Sequence, residues 1–206
     1  MIDALIVLWR GFGLWRRHIV VLTLASLGWA ALSLTLLLLP PATAGLYALA
    51  NRIAYGEPPH AAHFFAGARR YGALSFRWAL VNLVAGSLIY AGFAVADLPG
   101  LGRVALILVL GGWIAVQFYV WPLLFEAPHK RLLPALRTAP LLALAAPLYT
   151  VTLLWAVALI ILTAAAIAEP LGALAAGFVA LIGNLAVTER LAAFGGTPDA
   201  RRARLD

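Results

Sequence analysis

Long uncharged runs alternate with short basic segments along this chain. Five runs, 19–39, 78–96, 104–125, 138–168 and 170–188, contain no charged residue and reach the roughly 17 to 25 residues a helix needs to cross a bilayer. A sixth stretch, 40–51, is only 12 residues long and would rise about 18 Å as a helix against a hydrocarbon core of about 30 Å. Continuing it to Gly56 makes it a short or re-entrant segment, with Arg52 snorkelling to the headgroups. Every backbone donor in hydrocarbon must be satisfied within its own segment, and no ten-residue alternation of barrel type is present, so the pattern predicts helices throughout.

Charge decides between five segments and six. If the chain turns back at Pro40-Pro41, 14 of the 15 Lys and Arg residues fall on one side and only Arg103 lies opposite, beside Asp97 and Glu169. Cytoplasmic loops are enriched in Lys and Arg, which selects six segments with both termini inside. The outer connections, Pro40-Pro41, 97–103 and Glu169-Pro170, are short enough to make three antiparallel helical hairpins.

A basic segment of helical character precedes each hairpin: 4–17, 63–71 and 130–137. Their apolar and aromatic residues recur every three or four positions, as in helices lying along an inner leaflet. The chain therefore divides into units 1–56, 57–121 and 122–190, together one transmembrane domain, followed by a basic cytoplasmic tail, 191–206. The alternative reading is that these basic flanks do no more than orient the spans. Arg16, Arg17, Arg69, Arg70, Lys130 and Arg131 are the expected contacts to anionic lipid headgroups.

Composition agrees with the pattern. Hydrophobic residues make up 64% and charged ones 11%, well below the quarter or so of charged residues in soluble domains. A formal net charge of +7 would suggest nucleic acid for a soluble protein, but here it orients the chain, and no nucleic-acid partner is expected. With no Cys, disulfides, thiolate metal sites and Cys lipidation are excluded. The first run has 21 residues, longer than a signal-sequence core of roughly 7 to 15, so cleavage after Ala42-Thr-Ala44 is not expected.

Candidate chemistry is sparse. Asn51, Arg52, Asn82, Gln117 and Asn184 all fall in the inner half of the predicted segments, where they form either the floor of a polar pocket or hydrogen-bonded ties between helices. Gly172, Ala176, Ala180 and Asn184 share one helical face, a close-packing surface expected to meet other helices of this chain. His60 and His63 lie one turn apart, but with only Glu57 nearby they make a poor metal site. No GxSxG, HExxH, P-loop or GxGxxG stands in context, and no pair of acids lies at membrane depth, so a non-catalytic protein without metal or cofactor is expected.

The run Pro41-Ala-Thr-Ala-Gly-Leu-Tyr47, followed by Arg52, Gly56-Glu57, Phe64-Phe65, Gly67 and Arg69-Arg70-Tyr71, resembles the YesL-like family of bacterial membrane proteins over residues 19–80. The resemblance implies a polytopic helical protein of the bacterial cytoplasmic membrane, often encoded near carbohydrate uptake systems, and supplies no catalytic or ligand residues. Two functions follow as expectations: an accessory or organising subunit whose partners are anionic lipids and other membrane subunits, or a permease-like component of small-solute transport, saccharides among the candidates. Because the seven Trp lie mostly at predicted interfaces, as in an aromatic belt, the first is the primary expectation.

Overall fold

The computed structural model describes residues 2–95, 100–127, 130–167 and 169–193, and the described residues form nine helices and no strand. They are α1 (Ile2–Arg17), α2 (Ile19–Ser33), α3 (Leu39–Ala54), α4 (Ala61–Arg70), α5 (Gly72–Val95), α6 (Gly100–Glu126), α7 (Leu132–Ala145), α8 (Pro147–Ile167) and α9 (Glu169–Ala193). Four of them, α5, α6, α8 and α9, are long and apolar enough to cross a membrane. The chain is an all-helical membrane protein. Asp97, His129 and residues 194–206, which include most of the expected tail, lie outside the described residues, as do the surroundings of Gly172.

Two expected spans are interrupted, each for a local reason. The run 19–39 is helical only to Ser33, so the first hairpin turns at 34–38 and not at Pro40-Pro41, which fall in the first turn of α3. At the stop the hydroxyls of Ser33 and Thr35 donate to the carbonyls of Trp29 and Leu32, and Leu36 takes a φ of 53° that no right-handed helix allows. Such side-chain bonds offer the backbone an alternative to helix. The tip exposes Leu34, Leu36 and Leu37, yet its amides at Thr35, Leu36 and Leu37 are bonded within the turn and Leu38 N donates to Thr35 Oγ1. That is the condition for irregular backbone in an apolar surrounding.

The run 138–168 breaks at Ala146, whose φ of −148° and ψ of 74° precede Pro147; a residue before proline is driven out of the helical region. The third basic segment leads into α7, a separate helix ahead of the span-length α8 and longer than expected at its C-terminal end. It packs its Ala135, Ala139 and Leu142 inward, mainly against α6. Pro147 cannot donate to the carbonyl of Ala143, four residues earlier. Thr150 replaces that bond, its Oγ1 donating to Ala143 O at 3.2 Å, while Tyr119 Oη meets Thr150 Oγ1 at 3.0 Å from α6.

Helix α9 is a hub, touching α1, α2, α3, α6 and α8, and α3 is a second, touching α2, α4, α5, α6 and α9. Small residues allow this. Gly177 packs on Leu22 and Ser26 of α2, with its N–H donated to Ser26 Oγ at 3.0 Å, and Gly183 packs on Phe118 and Pro122 of α6 and Tyr47 of α3. On the predicted packing face Ala180 is fully buried and Ala176 partly so. The α3–α4 crossing is tighter still: a Cβ on Gly45 would strike the Phe64 carbonyl, and one on Gly67 would stand 2.7 Å from Ala48 Cβ. Helix α1 runs against α9, with Arg10 near Glu189, Gly11 at Ile182 and Leu185, and Trp15 edge-on to Phe178. By contrast α5 buries almost nothing along its apolar length.

Candidate functional site

The five polar residues expected in one inner cluster divide into two hydrogen-bonded groups and one ion pair. The first group joins α3 to α9. Asn51 Nδ2 donates to Asn184 Oδ1 at 3.0 Å, and Asn184 Nδ2 donates to the carbonyl of Ala180 at 2.8 Å and of Tyr47 at 3.4 Å. Asn184 is 1% exposed, so both its amide atoms are committed inside the protein.

The second group joins α5 to α6. Gln117 Oε1 accepts from Trp78 Nε1 at 2.7 Å and from Asn82 Nδ2 at 3.2 Å. Asn82 Nδ2 also donates to the carbonyl of Trp78, and Asn82 Oδ1 accepts from Trp113 Nε1 at 3.3 Å. Trp78 and Trp113 donate into this network, and nothing in the spacing of indoles and amides along the sequence paired them. Aromatic rings separate the two groups. Trp121, 1% exposed, stacks on Tyr47 of α3 and meets Trp78 of α5 edge-on.

Arg52 joins neither group. It pairs with Glu57 at 2.9 Å, both side chains 43% exposed, a pair of small worth at such exposure. Two further N–H donors, Gln117 Nε2 and Trp121 Nε1, are buried without a partner among the described residues. They stand one turn apart on α6 and so share a face.

Below these groups lies a belt of cations and phenols. Arg190 lies 3.8 Å from the centroid of the Tyr149 ring, Lys130 Nζ donates to Tyr71 Oη at 2.9 Å, and Tyr55 Oη donates to Glu126. Arg16, Arg17, Arg69, Arg70 and Arg131 are exposed, with Lys130 half-buried. Arg69 and Arg70 occupy the last turn of α4, where cations complement the helix dipole. His63 sits on the same helix, its Nδ1 accepting the His60 N–H at 3.1 Å. Desolvation, then the Arg52 charge, then His60 hold the His63 imidazole below its ordinary range, against an upward pull from Glu57.

Two kinds of cleft accompany this arrangement. An apolar one of about 610 Å³ lies between α1, α2, α8 and α9, walled by Trp15, Ile19, Leu159 and Phe178 with Thr23 and Thr163 as its hydroxyls. Another of about 610 Å³ lies between α5 and α7 and carries cations at its rim. Neither is lined by Asn51, Asn82, Gln117 or Asn184. No family model, characterised protein or solved structure matches the chain.

Proposed function

We propose that this chain is a non-catalytic, multi-pass accessory or organising subunit of a bacterial cytoplasmic membrane, bound to anionic lipid and to other membrane subunits. In this reading six segments form three hairpins with both termini cytoplasmic, α2 and α3 being the short pair. The YesL-like resemblance of residues 19–80 belongs to the same proposal. The observation that carries it is how the intramembrane amides are used: Asn51 with Asn184, and Asn82 with Gln117, bond to each other across helix boundaries. Amides so engaged hold helices together. Meanwhile α5 and the outer faces of α6 and α8 present large apolar residues such as Leu83, Leu88, Leu108 and Trp155, surfaces suited to lipid and to neighbouring helices.

One observation favours a second reading, a permease-like component for a small uncharged solute such as a saccharide. Gln117 Nε2 and Trp121 Nε1 are donors without a partner among the described residues, with the Trp78 indole against both side chains, and a sugar hydroxyl on an aromatic platform would satisfy such donors. Extraction of the chain in its native lipid, followed by mass spectrometry of what accompanies it, separates the two. A stoichiometric membrane protein together with anionic lipid is the expected result; a retained saccharide with no protein partner would overturn the first reading in favour of the second.

A further inference from the structure

The cleft between α5 and α7 gathers three cations from two distant parts of the sequence: Arg77 on α5, and Lys130 and Arg131 from the segment leading into α7. Among the described residues no carboxylate lines it, and the ion pairs lie elsewhere, at Arg10–Glu189 and Arg52–Glu57. Its floor is aliphatic, formed by Leu74, Leu133 and Leu136 among others. Lys130 is held in place: Nζ donates to Tyr71 Oη at 2.9 Å, the ammonium lies 5.4 Å from that ring's centroid, and the backbone takes a φ of 44°. A non-glycine residue in that region carries strain that the surroundings must offset. The N-terminus of α7 opens at the same rim without a side-chain cap, adding the partial positive charge of its free N–H groups.

Three like charges converging on one cleft repel one another until an anion joins them. A small soluble anion would meet the charge requirement but leave the aliphatic floor uncovered. An amphiphile with an anionic head meets both. We infer that the cleft is a site for one anionic glycerophospholipid, its phosphate on Arg77, Lys130 and Arg131 and one acyl chain along Leu74, Leu133 and Leu136. The lipid would bridge α5 and α7, which share few direct contacts. This deepens the lipid-binding part of the proposed function and rests on this end of the molecule facing the inner leaflet.

Native mass spectrometry of the full chain tests it, after exchange into phosphatidylglycerol or phosphatidylcholine of the same acyl chains. One phosphatidylglycerol retained per chain is expected, with phosphatidylcholine lost. Combining Arg77→Gln, Lys130→Gln and Arg131→Gln should weaken that retention on the order of 100-fold, from the attraction each basic residue adds at a membrane surface. Combining Arg201→Gln, Arg202→Gln and Arg204→Gln removes the same charge from the tail and should leave retention unchanged. Equal losses in the two triple variants would mean diffuse attraction and would overturn the site while leaving the broader lipid reading standing. On the unmodified chain, free glycerol phosphate should fail to displace the lipid; displacement at comparable concentration would mean a soluble-anion site and would overturn it even if a variant fails to fold. Loss of the protein partners sought above bears on the organising role alone.

Discussion

At the scale of single residues, the amides and glycines make the clearest predictions. Asn184→Leu removes two interhelical bonds and strands Asn51 Nδ2 between α3 and α9, so it should cost about 1 to 3 kcal/mol, seen as a lower unfolding midpoint in detergent. Asn82→Leu should act in the same direction, since it strips Trp113 Nε1 of its partner and Gln117 Oε1 of one of its two donors. Normal stability with lost activity in either variant would mark a ligand site instead. Gly45→Ala puts a methyl group into the Phe64 carbonyl at the α3–α4 crossing, an overpacking expected to cost about 1 to 3 kcal/mol by the same measurement. His63 gives a pH dependence. Its folded pKa is lowered, so the stability it lends the start of α4 is present above the ordinary value of 6.5 and is lost as pH falls through the lowered one. The protection factor of the His60 amide, whose N–H it accepts, should therefore fall on acidification once exchange is corrected for its intrinsic slowing at lower pH. An unchanged or larger protection factor would refute that linkage.

At the scale of elements, hydrophobic runs located the apolar helices but not their ends. The 31-residue run 138–168 is uniform in hydropathy, and its break depends on Pro147 together with a hydroxyl able to take the orphaned carbonyl of Ala143. Thr150→Val keeps the shape and removes that hydroxyl, leaving Ala143 O and Tyr119 Oη unpartnered. The α7–α8 junction should lose about 1 to 3 kcal/mol, with hydrogen exchange rising there before it rises in α9. Pro40-Pro41 was a visible turn signal, yet the turn comes earlier, where Thr35 bonds the Leu32 carbonyl and the Leu38 amide around a left-handed Leu36. The prolines then serve as the first turn of α3, where their missing N–H groups cost nothing.

At the scale of the whole molecule, topology is open to direct measurement because the chain has no Cys, so each introduced thiol is a unique reporter. With six segments, Gly56→Cys and Arg131→Cys should react with an impermeant maleimide only from the cytoplasmic side, and Arg103→Cys only from outside. Labelling of position 56 from outside would sink that topology. The membrane class and the all-helical architecture of the described residues followed from sequence alone, because burying apolar residues in lipid is a local, additive effect. The division of Asn51, Arg52, Asn82, Gln117 and Asn184 into separate ties did not follow, since equal depth along different helices says nothing about which faces meet. Nor did the choice of α9 as a hub and α5 as the exposed helix: both read as apolar spans. Burial inside a bilayer is decided by close approach at residues such as Gly177 and Gly183, and with lipid as apolar as a core, hydrophobicity cannot tell one surface from the other.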